Sequence, residues 1–299
     1  LIVVNVDTLA DGEPRNNFLK RARTWNNGGA LAGARHITLA GTTGYIAGDF
    51  GVTVVDLNDP LNPEVITIIP FDGARATAVQ FRYLFVTDRE GFHVVDITDP
   101  TKPRQVEGAS IALSQANRIY MARTMAYVAA GQDGLVIIDT EKPESPVVYE
   151  KFTADGQIND ARDVIVGTTN ASLIAYVADG KNGIKVVQLT SPESQPRFYG
   201  FSPDPKPELI AWYPTEYPAL AMSKGLDRDR GVDETGNQIA VFGRLGSRPF
   251  TQEEQQKLYL NEQGKPWFVS DEVDIDSFVP SAPSKRLPEM PQQQAQMPN

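Results

Sequence analysis

A six-residue string recurs four times along this chain, each time beginning on glycine. It reads Gly51-Val52-Thr53-Val54-Val55-Asp56, then Gly91-Phe92-His93-Val94-Val95-Asp96, then Gly134-Leu135-Val136-Ile137-Ile138-Asp139. The fourth copy, Gly183-Ile184-Lys185-Val186-Val187-Gln188, ends on Gln instead of Asp. Successive glycines are 40, 43 and 49 residues apart. A period of this size marks one supersecondary unit stacked on copies of itself. A tyrosine-led apolar strand precedes each glycine, at Tyr45-Ile46-Ala47, Tyr83-Leu84-Phe85-Val86, Tyr127-Val128-Ala129 and Tyr176-Val177-Ala178. A proline pair follows, at Pro60 and Pro63, Pro100 and Pro103, Pro143 and Pro146, and Pro192 and Pro196. Another strand comes after the prolines, as in Pro196-Arg197-Phe198-Tyr199-Gly200-Phe201, and an apolar segment such as Asp163-Val164-Ile165-Val166 opens the unit.

Each unit therefore predicts four short strands joined by Gly, Asp, Asn and Pro turns. The Val-x-Val-Val run is apolar on both of its faces. A strand with one wet face would alternate, so this strand is expected to be sandwiched between neighbouring sheets. Four-stranded sheets repeated radially make an all-β propeller. The Asp that ends the run is placed to accept backbone N–H groups two or three residues on, starting the turn that the prolines stiffen. Proline has no N–H to give to a ladder and belongs in these connections.

The edges are less regular. Leu1-Ile2-Val3-Val4-Asn5 reads as the same strand without its glycine, and Phe18 to Thr24 reads as the next. Gln238-Ile239-Ala240-Val241-Phe242 fits the repeated strand again, and Leu220-Ala221-Met222 fits the tyrosine strand. Four clear units and two imperfect ones favour six blades, or seven if upstream residues complete another. The propeller is assigned to residues 1–250 and a C-terminal extension to 251–299. That extension opens with a possible Thr-capped short helix at Phe250 to Leu260, continues with a strand at Lys265 to Ser270, and ends in a Pro- and Gln-rich tail. The chain starts at Leu1, already in strand-like sequence, so a processed or partial chain is expected, with any targeting peptide upstream.

The repeats resemble the LVIVD family, named for a strand matched here by Leu135-Val136-Ile137-Ile138-Asp139. The resemblance implies a β-propeller, usually in exported bacterial or archaeal proteins, and so a periplasmic or cell-surface location. It implies no assigned reaction and no catalytic residues. Some members look like companions of multihaem cytochromes, which makes such a cytochrome a candidate partner. Gln188 and the insertion after Met222 depart from the family pattern and direct attention to the last two blades.

Composition narrows the chemistry. With 38 acidic and 28 basic side chains the formal charge is −10, which disfavours a phosphate backbone as partner. No apolar run is long enough for a transmembrane helix. The chain has no Cys, which removes disulfides, thiol catalysis, cysteine-ligated zinc and covalent c-type haem. The two histidines, His36 and His93, fall at unrelated positions in the repeat and read as strand residues, with His93 as a haem ligand the weaker alternative. The recurring Asp56, Asp96 and Asp139 read as turn formers. No nucleotide-binding loop, nucleophile elbow or metal-binding His pair is present.

The expectation is a non-enzymatic scaffold that binds a protein partner and needs no cofactor. Candidate partner-binding residues are Trp212, Tyr213, Tyr217 and Trp267, aromatics outside the regular repeats, and Asp227, Arg228, Asp229 and Arg230 in the charged insertion. The aromatics fit ring closure equally well. Asp227, Asp229, Asp233 and Asn237 offer oxygen ligands for Ca²⁺ as a weaker reading, since Arg228 and Arg230 compete for the carboxylates. The alternative function is a carbohydrate-binding or hydrolytic propeller with its site at the central channel.

Overall fold

The computed structural model describes residues 1–5, 19–169, 172–195, 202–223, 244–245, 248–249, 263 and 269–270. The chain divides into two compact units. One comprises Leu1 and Thr24–Phe250, the other Ile2–Arg23 and Thr251–Asn299. Strands β1 (Ile2–Asn5) and β2 (Leu19–Thr24) come first in the chain.

Four blades follow in the larger unit. Blade 1 is β3 (His36–Ala40), β4 (Thr43–Gly48), β5 (Gly51–Asp56) and β6 (Glu64–Pro70). Blade 2 is β7 (Ala76–Gln80), β8 (Tyr83–Thr87), β9 (Gly91–Asp96) and β10 (Arg104–Ala112). Blade 3 is β11 (Arg118–Ala122), β12 (Met125–Ala129), β13 (Leu135–Asp139) and β14 (Val147–Phe152). Blade 4 is β15 (Asp163–Thr169), β16 (Ser172–Ala178), β17 (Ile184–Thr190) and β18 (Glu208–Tyr213). Each is an antiparallel meander with its strands paired in chain order. Two short pairings complete the described strands: β19 (Arg244–Leu245) with β20 (Arg248–Pro249), and β2 with β21 (Val269–Ser270), the latter parallel in a sheet of order β1-β2-β21.

The expected sandwiching is what the core shows. One apolar cluster joins Tyr45, Val52 and Val54 of blade 1 to Leu84, Val86 and Val95 of blade 2. A second joins Phe85, Phe92 and Val94 to Ala126, Val136 and Ile138 of blade 3. A third joins Tyr127, Leu135 and Ile137 to Val164, Val177, Val187 and Leu189 of blade 4. Consecutive residues of β9 and β13 thus point to opposite neighbours, the period-two geometry of a strand buried on both faces. The first strands of successive blades lie side by side, β3 against β7, β7 against β11 and β11 against β15. This is the radial arrangement of a propeller, and four complete blades lie among the described residues.

The repeat is finer than its sequence pattern. Register places Tyr45 opposite Val54, Phe85 opposite Val94, Tyr127 opposite Ile137 and Tyr176 opposite Val186. Phe85, rather than Tyr83, therefore occupies the tyrosine position of blade 2. Gly134 takes φ +73°, and an added Cβ would stand 2.4 Å from the Phe152 carbonyl oxygen, so only glycine fits the start of that strand. Pro63, Pro103 and Pro146 each immediately precede the outer strand of their blade.

Blade 4 departs from expectation. Its outer strand is Glu208–Tyr213, entered after Pro207, whereas the expected strand at Pro196 to Phe201 lies outside the described residues. Leu220 to Met222 form no strand. Ala219 pairs with Gly180 as Ala161 pairs with Gly131, each through two reciprocal backbone hydrogen bonds of 2.8–3.1 Å. That match puts Leu220 to Met222 where residues 162–164 lead into β15, so they belong to the start of a unit and not to a tyrosine strand. The expected strand Gln238 to Phe242 and helix Phe250 to Leu260 lie outside the described residues, and with them the rest of the expected six blades. No helix among the described residues is long and apolar enough to cross a membrane.

Candidate binding site

The turn from the third strand to the fourth is built the same way in three blades. Asp56 Oδ1 accepts the Asn58 amide, Asp96 Oδ1 the Thr98 amide and Asp139 Oδ1 the Glu141 amide, each at 2.8 Å. The recurring aspartates are turn formers, as their recurrence predicts. In blade 4 Gln188 instead donates through Nε2 to Ser191 Oγ at 3.0 Å. Blades 1 and 2 add a second aspartate. Asp59 accepts from the Leu61 amide and Asn62 Nδ2, and Asp99 from the Thr101 amide and hydroxyl. Hydrogen bonds from Asn62 and Leu61 hold Asp59 below the ordinary carboxylate value, and those from Thr101 do the same for Asp99.

Around this turn blade 2 forms a cavity of about 270 Å³, lined by Arg82, Asp96, Thr98, Asp99, Lys102 and Arg104. Arg82 sits in the β7–β8 turn and reaches Asp96 at 3.4 Å and Glu144 of blade 3 at 3.3 Å. Tyr83 donates its hydroxyl to the same Glu144 carboxylate, and the Arg82 guanidinium lies 4.8 Å from the Tyr83 ring centre. The sequence reading missed Arg82, Lys102 and Arg104. A signal was there, because a search for recurrence discards Arg82 and Arg104, which no other blade repeats, and Lys102, which is matched only by Lys206 of blade 4. Aligned blade by blade, those positions hold Thr42, Asn62 and Glu64 in blade 1, and Thr124, Ser145 and Val147 in blade 3.

The opposite end of the blades carries a second polar cluster, at the starts of the inner strands. Arg35, Arg75, Asn117 and Arg162 each donate a backbone N–H to the equivalent carbonyl of the second strand. Arg75 Nη1 donates to Asn117 Oδ1 at 3.0 Å, and Asn117 Nδ2 donates to the Ala161 carbonyl at 2.8 Å. His36 Nδ1 accepts the Thr77 amide at 3.2 Å. Burial, followed by the charge of Arg118, lowers the His36 pKa to about 4. Asp163 is buried, 3.4 Å from Arg118 Nε, and accepts the Met222 amide. Among the described residues Asp163 is the carboxylate of an inner strand, and it is held by a guanidinium rather than facing a second carboxylate.

His93 lies elsewhere, in β9. Its Nε2 bonds Asp88 Oδ1 at 2.9 Å, and the same oxygen accepts the Glu90 and Gly91 amides. Burial pushes Asp88 up, yet the His93 hydrogen bond, the His93 charge and those amides hold it below the usual value. Asp88, Glu90 and His93 place their ligand atoms within 4.8 Å of one another, but the oxygen they share is already the brace of the β8–β9 turn.

Trp212 and Tyr213 lie in β18, 60% and 69% exposed, and Tyr217 beyond it is 74% exposed. Lys185 Nζ stands 5.6 Å from the Trp212 ring centre. Asp227, Arg228, Asp229, Arg230, Asp233, Asn237 and Trp267 lie outside the described residues, and the Ca²⁺ reading with them.

The LVIVD repeat family matches residues 74–108, 116–154 and 174–200, which fall in blades 2, 3 and 4. No curated protein matches the chain in sequence. Among solved structures, the chain is similar to the β-propeller domain of Cps50 (Swd1) from Myceliophteria thermophila, at 12% identity and TM-score 0.37 over 54% of this chain and 53% of that one. It is similar to apo AztD from Citrobacter koseri, at 15% identity and TM-score 0.37 over 61% and 49%. It is also similar to the computationally designed Ika4 protein, at 12% identity and TM-score 0.38 over 52% and 90%. The LVIVD repeat is thus matched in three blades of an all-β propeller, and the same register is built into a fourth.

Proposed function

We propose that the protein is a non-enzymatic interaction module, exported to the periplasm or cell surface, that binds a protein partner. A β-propeller built from repeats is consistent with a scaffold or interaction module. The observation that carries the reading is the contrast between an apolar core that recurs from blade to blade and a cavity in blade 2 lined by Arg82 and Arg104, which blades 1 and 3 do not repeat. Loops varied on a rigid frame are where binding is placed. Native purification followed by a pull-down tests it: a stoichiometric partner is expected, and repeated recovery of the protein alone overturns it. The sharper form makes the partner a multihaem cytochrome, on the strength of the family resemblance. The native complex then shows a Soret band, and its absence removes that form. A carbohydrate-binding or hydrolytic propeller acting at the channel is the competing function. It requires turnover of a glycoside or binding of a glycan, and hydrolase-substrate screens and a glycan array without a hit rule it out.

A further inference from the structure

Blade 2 gathers three cations at positions where blades 1 and 3 have none and blade 4 has only Lys206, the counterpart of Lys102. Arg82, Lys102 and Arg104 line the cavity at positions held by Thr42, Asn62 and Glu64 in one neighbour and by Thr124, Ser145 and Val147 in the other. The fold does not require them. The backbone bond that closes each turn is 2.8 Å in all three blades, from Leu57 to Thr42, Ile97 to Arg82 and Thr140 to Thr124. Asp96 and Asp99 each commit an oxygen to their own turn, and Asp56 and Asp59 do so in blade 1 with no cation beside them in the turn. Arg82 is engaged by Asp96 and Glu144, whereas Lys102 and Arg104 have no carboxylate within ion-pair distance among the described residues. A second departure lies beside the first. In blades 1, 3 and 4 a single residue, Ile66, Tyr149 or Ile210, is extra in the outer strand at the bulge. In blade 2 four residues, Val106 to Ala109, stand opposite Val94 alone. Arg104 begins this strand, which is the edge of its sheet.

We propose that the blade 2 cavity receives carboxylate side chains from an acidic segment of the partner protein. This rests on the interaction-module reading and names the chemistry of what binds. Lys102 and Arg104 supply unshared N–H donors to a carboxylate, and charge-assisted bonds of this kind are about twice as strong as neutral ones. Arg82, already fixed by Asp96 and Glu144, forms the wall of the cavity. A segment running along the β10 edge passes Arg104 at one end, so a partner in extended form presents successive acidic side chains to the cavity. The chain's net charge of −10 disfavours such a segment over the surface at large, so its binding depends on local cations such as these.

The test is titration of a labelled polyglutamate peptide into the full chain, followed by fluorescence anisotropy at low and moderate salt, with inorganic phosphate as competitor. The paired variant Lys102→Asn with Arg104→Val borrows residues that the neighbouring blades already carry, and Arg82→Thr does the same on the facing turn. Circular dichroism confirms folding in each. The paired variant is expected to weaken binding about tenfold or more, Arg104→Glu to weaken it further, and added salt to weaken the native protein in the same direction. Arg89→Gln, in the β8–β9 turn at the other end of the blade, is expected to bind as the native protein does. Equal affinity in native and paired variant overturns the proposal, as does saturable phosphate binding with which the peptide does not compete. A pull-down partner retained undiminished by the paired variant overturns the cavity while leaving the interaction module standing; recovery of the protein alone removes the module itself.

Discussion

Blades 1 and 2 correspond at a constant offset of 40 residues, from Arg35 and Arg75 to Glu64 and Arg104, and then part. Within that span the residues between sheets stay apolar: Val52 and Phe92, Val54 and Val94, Val55 and Val95 are all buried. The residues around the outer turn change charge freely, Thr42 becoming Arg82 and Glu64 becoming Arg104. A position packed on both faces has no room for an unpaired charge, whereas a solvated turn is held by backbone and aspartate bonds whatever its outer side chains are. The difference teaches where to look in a repeat protein: function sits where one copy departs from its siblings and the departure costs the fold nothing.

That contrast can be broken in order of size. Phe92→Ala, in the core between blades 2 and 3, is expected to lose on the order of 3–5 kcal/mol in urea unfolding; a loss under about 1 kcal/mol denies the sandwich. Acid is expected to act on blade 1 through His36, at a position where blade 2 has Ala76. The fold lowers the His36 pKa from 6.5 to about 4, so it favours the neutral ring. The stability this brings is complete above the unfolded value and is lost as pH falls from there towards the folded value, about 2–3 kcal/mol in all. His36→Gln should flatten the stability profile across that window, and an unchanged profile refutes the assignment. Gly134→Ala, forced into a positive φ against the Phe152 carbonyl, is expected to cost about 2 kcal/mol, read as a lowered midpoint at constant slope. Asp56→Ala should cost about 1 kcal/mol for its turn bond, and Asp96→Ala more, because Asp96 also accepts the Thr98 hydroxyl and pairs with Arg82; equal losses deny those added contacts any weight. The paired Lys102→Asn and Arg104→Val variant should shift stability by less than about 0.5 kcal/mol.

Much of the fold was readable from residue types. Val-Val-Asp runs without alternation announced strands buried on both faces, and the aspartates announced their turns. The outer strand of blade 4 was not readable, because Pro196 and Pro207 signal equally well and only the pairing of Val187 with Leu209 and Gln188 with Glu208 selects the second. The tyrosine register of blade 2 was also hidden, since Tyr83 and Phe85 are both apolar and lie on the same side of one strand. The cavity escaped for a different reason. Arg82 is some twenty residues from Lys102 and Arg104, and only the folding of β7–β8 against the β9–β10 turn brings them together. Trp212 and Tyr213 were singled out for lying beyond the repeats, yet they occupy the regular fourth-strand position of a blade.

The reciprocal pair between Gly180 and Ala219 has a mechanical consequence. The outer strand of a blade is its weakest edge, and traction on the chain beyond β18 would ordinarily peel that strand away one hydrogen bond at a time. Here the chain is tied at Ala219, after the outer strand has ended, to the turn between the second and third strands of the same blade. Load applied downstream passes through two hydrogen bonds into the most buried part of the sheet and bypasses β18. The corresponding tie of Gly131 to Ala161 does the same for β14, so tension is handed from blade to blade through their interiors rather than along their rims.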